Sequence, residues 1–162
     1  GHFVDAKRDL GKLVAFDPKK GGFALNEEES ITVEPRQPHY DGRIVVLVHR
    51  STRDSGQIIA RALQGQANVV IMGVLGTEGS LAQVGGEITM PGGYVLHYPV
   101  GRYVDDKGSV LITTDAEGDG GVQPDIVIPA TVGLFEAQFT QSRDSLLDAA
   151  LAELKRQTTA KK

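Results

Sequence analysis

Residues Gly42 to Gln64 constrain this chain more than any other stretch. Ile44 to Val48 is apolar at consecutive positions, which suits a strand buried on both faces. A polar loop, Ser51 to Ser55, follows at once. Ile58, Ile59, Ala62 and Leu63 then recur at helical spacing, which predicts a helix from Ser55 to Gln66. Ala67 to Met72 gives a second apolar strand. Residues 44–72 therefore read as a βαβ unit with the two strands parallel and adjacent. Between strand and helix lies a tight loop where backbone N–H groups and the helix dipole converge. Such loops suit nucleophiles and anions.

The flanks fill in an α/β domain. Leu13–Phe16 and Phe23–Leu25 read as hairpin arms about Pro18-Lys-Lys-Gly-Gly22, since proline and glycine preset the bend. Asn26–Ser30 reads as an acidic loop and Ile31–Val33 as a short strand; the assignment of residues 1–30 stays open. Leu81–Met90 and Tyr94–Val100 read as a second hairpin about Pro91-Gly-Gly93. Ser109–Thr113 is expected as a strand and Asp125–Pro129 as an extended segment. Arg143–Arg156 is expected as an amphipathic helix with Leu147, Ala150, Leu151 and Leu154 on one face.

Composition narrows the chemistry. A chain of 162 residues, 40% hydrophobic and 23% charged, suits a single domain, 1–162. There is no cysteine, so thiol nucleophiles and cysteine-based zinc sites are excluded. A net charge of −4 without a basic stripe argues against a nucleic-acid partner; Lys155-Arg156 and Lys161-Lys162 read as a solvated end. No apolar run is long enough to span a bilayer, and no signal peptide is recognised.

Four pieces, in this order, carry a resemblance to a known family. They are Ile31-Thr-Val-Glu-Pro35 leading through Tyr40–Val48, then Ile58–Gln64, then Gly121-Val-Gln-Pro-Asp-Ile-Val-Ile-Pro129, then Asp144–Leu154. Together they resemble the tail-specific (C-terminal processing) serine peptidases. The resemblance implies a Clp-protease/crotonase-like α/β spiral, with a βαβ core, flanking hairpins and a C-terminal helix. It implies endoproteolysis by a Ser/Lys dyad without cofactor or metal, polypeptide C-termini as partners, and an extracytoplasmic location. The family's Gly-rich oxyanion segment is not recognisable upstream, so the chain is expected to begin inside the peptidase domain. A domain lacking upstream sheet partners is expected to form homo-oligomers.

The dyad positions depart from the family. Laying Ile58-Ile-Ala60 on the family helix puts Asp54 at the nucleophile position, followed by Ser55, Gly56 and Gln57. Glu78, in Gly76-Thr-Glu-Gly-Ser80, falls at or next to the general-base lysine, and no lysine occurs between Lys20 and Lys107. The first expectation is a peptidase-like domain that has lost the dyad and serves peptide binding or assembly. In it Asp54-Ser-Gly-Gln57 is a capping box, the carboxylate accepting first-turn N–H groups while Gln57 reaches back. The second is an active serine endopeptidase using Ser55 as a shifted nucleophile, with His49 as base or with residues from upstream. The third is crotonase-like carbonyl chemistry, or cation binding, by paired Asp54 and Glu78. Asp115–Gly120 resembles the start of a calcium loop, but Ile126 stands where the closing acid belongs, so an acidic turn is expected. His39 and His97 are expected at the surface.

Overall fold

The computed structural model describes residues 1–79, 83–112 and 121–159. Strands β1 (Arg8–Asp17) and β2 (Gly22–Val33) form the first hairpin. Its turn closes through Lys20 N–H to Asp17 O, with the Asp17 carboxylate accepting from Lys19 N–H and Gly21 at φ 65°. The expected arms were too short. Residues 26–30 do not leave the sheet as an acidic loop. Lys12 pairs with Ser30 and Leu13 with Asn26, so the acidic residues between form a bulge inside β2. An edge strand tolerates such a bulge and its charges, because one side faces water.

β3 (Ile44–Leu47), α1 (Ser55–Leu63) and β4 (Val69–Gly73) follow as expected, with β3 and β4 parallel and Ile44 opposite Val69. Asn68 sets that register twice: its carbonyl accepts from Ile44 N–H at 2.8 Å and its amide donates to Gly42 O at 2.9 Å. The second hairpin, β5 (Gln83–Thr89) and β6 (Val95–Val104), turns where Gly93 N–H meets Met90 O. The strand expected at Ser109–Thr113 is reduced to one bridge, Val110 to Val104, since Leu111 turns its N–H back to Tyr103 O. Thr113 and the calcium-like stretch Asp115–Gly120 lie outside the described residues. β7 (Ile126–Val127) adds to β4 in parallel.

Two helices close the described chain, α2 (Val132–Thr140) and α3 (Ser145–Thr159). Helix α2 went unread because Val132, Gly133 and Phe135 favour other states. Thr131 marks its start, accepting from Leu134 N–H. Helix α3 packs on β3 through a narrower face than expected. Ala150 is buried, but Leu147 and Leu151 remain half exposed.

The sheets are ordered β2-β1-β6-β5, antiparallel, and β3-β4-β7, parallel. The core gathers on the parallel sheet: Val4, Val48, Ala60, Leu63, Val69, Ile71, Ile112 and Val122. Burial there places the carboxyl ends of β3 and β4 as the rigid platform for whatever the adjoining loops do.

Candidate active site

Val48, 2% exposed, ends the entering strand with its N–H on Met72 O. The chain then folds into a self-bonded loop. Thr52 N–H reaches His49 O, the Thr52 hydroxyl accepts from His49 N–H, and the His49 ring accepts from Ser51 N–H. Asp54 follows at φ 48° and ψ −126°, immediately before α1. A non-glycine residue in this region is strained by about 1–3 kcal/mol. Sharp, strained strand-to-helix turns of this kind lift a nucleophile clear of the sheet. Asp54, expected from sequence at the nucleophile position, thus has a strained backbone at the strand-to-helix turn and carries an exposed carboxylate.

The capping-box expectation fails. The Asp54 side chain caps nothing in α1. Gly56 N–H goes to Arg53 O, and Gln57 and Ile58 N–H go to Asp54 O, so main-chain oxygens already satisfy that turn. The elbow that raises Asp54 also carries its carboxylate away from these amides.

Gln57 does not reach back either. Its side chain is fully buried, and its Oε1 accepts from the Thr77 hydroxyl at 2.6 Å and from Gly79 N–H at 2.8 Å. Because a backbone N–H can only donate, Gly79 fixes which end of the amide faces it. Among the described residues, Gln57 Nε2 is buried without an acceptor. The Thr77 hydroxyl in turn accepts from Val122 N–H at 2.8 Å, and Thr77 N–H returns to Val122 O. Gly121, at φ 87°, lies so close that a Cβ would sit 2.5 Å from Thr77 O. The closing motif thus has a structural reading. Gly121 permits the approach, Val122 bonds the loop after β4, and the Asp125 carboxylate accepts Ile71 N–H just before β7 begins pairing.

Glu78 sits above this buried group. Its N–H donates to Thr52 O at 3.1 Å, which ties the two loops together. Its carboxylate meets Arg53 Nε at 3.7 Å, both side chains being partly exposed. The loops carrying Asp54, Ser55 and Glu78 therefore adjoin, and Arg53 supplies the ion pair to Glu78. Among the described residues, no hydrogen bond joins His49 to Ser55, and no three His, Asp or Glu groups converge as a metal site requires. His97 is exposed beside Glu87; His39 is more enclosed than expected, held by Asp41 at 2.7 Å.

Thr77 and Arg53 were not singled out from sequence, and Gln57 was expected only as the returning arm of a capping box. One signal was available for Gln57: it falls in phase with Ala60 and Leu63 on the buried face of α1, where a polar residue demands a partner.

Comparisons with known proteins agree with this architecture. The fold is similar to a candidate peptidase from Parabacteroides merdae, with TM-score 0.67 at 18% identity over 94% of this chain and 44% of that one. It is similar to mature CPAF, with TM-score 0.64 at 11% identity over 94% and 40%. It is also similar to the photosystem II D1 C-terminal processing protease, with TM-score 0.51 at 22% identity over 79% and 29%. The chain spans less than half the length of each. A search of curated protein sequences finds no match. The mixed α/β spiral expected from the resemblance is thus the fold these structures share. The sequence model of Peptidase family S41 matches residues 7–128, three-quarters of the chain, and with the strand–elbow–helix geometry it establishes that this protein belongs to peptidase family S41.

Proposed function

We propose that this domain binds polypeptide without cleaving it, as an S41 peptidase fold whose dyad positions carry carboxylates. The observation that carries this reading is Asp54 on the elbow. A carboxylate there cannot form the ester intermediate of a serine peptidase. Glu78, paired with Arg53, is a far weaker base than a neutral lysine amine. Ser55 stands one residue past the elbow, and His49 already receives Ser51 N–H, so among the described residues no positioned base serves the hydroxyl. Polypeptide C-termini as ligands, and an extracytoplasmic location, rest on the family resemblance alone.

The test pairs cleavage with binding. The purified chain is incubated with unfolded polypeptides, and a fluorescent peptide is titrated against it by anisotropy. Binding without cleavage is expected. Cleavage that disappears in Ser55→Ala would overturn the proposal and establish Ser55 as a live nucleophile.

A further inference from the structure

The β5–β6 hairpin has two unlike faces. Register pairs Gly86 with Tyr98 and Ile88 with Leu96, which places these residues on one side of the pleat. Glu87 pairs with His97 and Thr89 with Val95 on the other, where Glu87 and His97 form an ion pair. The first side carries no charge. A Cβ on Gly86 would lie 2.7 Å from the Tyr98 ring, so that ring lies across the glycine and flattens the surface. At the turn, Met90 and Tyr94 add further exposed apolar area; the five side chains are between 38% and 75% exposed. Here the outer part of one sheet face is uncovered as a contiguous patch, which differs in kind from scattered surface hydrophobics.

We propose that this face is the contact between two copies of this chain, packed face to face about a twofold axis. Its five side chains expose on the order of 500 Å² per copy, so a symmetric pair buries about 1,000 Å², where specific interfaces begin. Tyrosine and methionine are the residue types that interfaces enrich, and the charge-free centre matches an interface core. A flat, uncharged surface complements itself and has no charge with which to select an unlike partner. Pairing through the open edge of β5 would extend the sheet but leave this face in water. Packing face to face removes it from water and keeps Glu87 and His97 on the solvent side.

Sedimentation equilibrium of the chain tests this, from about 5 to 500 µM, the range for an interface at the small end of the scale. A reversible monomer–dimer equilibrium is expected. Leu96→Lys places a charge at the centre of each face and should weaken it about a hundredfold or more. Tyr94→Ser, at the exposed turn, should weaken it about tenfold without touching the packed part of the fold. Val95→Lys, on the other side of the same strand, should leave the constant within about twofold. A monomer throughout would overturn the proposal. So would a dimer that survives both Leu96→Lys and Tyr94→Ser but is lost in Phe139→Ser, which would assign the contact to α2. A monomer that co-sediments with phosphatidylcholine–phosphatidylglycerol vesicles would overturn it in favour of a lipid surface.

Discussion

Asp54 and Gln57 stand one turn apart at the start of α1, yet they belong to different kinds of structure. Gln57 lies in a buried group that includes Thr77, Gly79 and Val122, where three hydrogen bonds of 2.6–2.8 Å run through two side chains. Asp54, Ser55, Arg53 and Glu78 lie on a rim open to water, where Arg53 meets Glu78 in a 3.7 Å ion pair and Glu78 N–H reaches Thr52 O. In a desolvated setting each lost partner strands a polar group, at about 1–3 kcal/mol. At the rim water replaces whatever is lost, and an exposed ion pair contributes about 0–1 kcal/mol. The comparison teaches that the frame holding the two loops together does not depend on the residues that would do chemistry.

Four substitutions and one titration can break or sharpen this contrast. The largest effect is expected from Gly121→Ala. Its positive φ and the approach to Thr77 O together should cost about 3 kcal/mol or more, read as a lower urea midpoint at unchanged slope. A loss below about 1 kcal/mol would mean the buried group is loose. Next is Thr77→Val, which removes a hydroxyl that both donates and accepts; about 2 kcal/mol is expected in the same measurement.

At the rim the sign should reverse. Asp54→Gly relieves a strained backbone and loses no cap, so a gain of about 1 kcal/mol is expected after glycine's own entropy cost. A destabilised glycine variant would restore the capping role. Arg53→Ala removes only the exposed ion pair and should change stability by about 0.5 kcal/mol or less. Equal losses in Arg53→Ala and Thr77→Val would erase the distinction.

The titration lies away from both regions. Hydrogen bonds from Arg156 and Gln157 lower the Glu153 carboxyl from 4.5 to about 2. A folded pKa below the unfolded value stabilises above the unfolded one, and that contribution is lost as pH falls through the folded one. The parent should therefore lose stability between pH 4.5 and about 2 more steeply than Glu153→Gln, as urea midpoints across that range would register.

Much of the fold was readable because it rests on local periodicity. The β3–α1–β4 unit, both hairpins and the last helix follow from apolar spacing and from turn glycines and prolines. Helix α2 escaped because Val132, Phe135 and Phe139 face outward and none of its residues is buried, which leaves no amphipathic pattern to read. The long β2 escaped because its bulge breaks the alternation that announces a strand.

The sequence by itself determined the order of elements and the parallel pair at the centre. These follow from residue identity and from spacing along one segment. Only the tertiary structure decided what each polar residue does. Whether Asp54 caps α1 depends on a φ of 48°, which its neighbours impose. Whether Gln57 faces water or a buried hydroxyl depends on Thr77, twenty residues away. The meaning of Gly121 depends on a carbonyl in a different loop. Hydrogen bonds across such separations are set by how strands and helices stack, and a local pattern holds no record of that stacking.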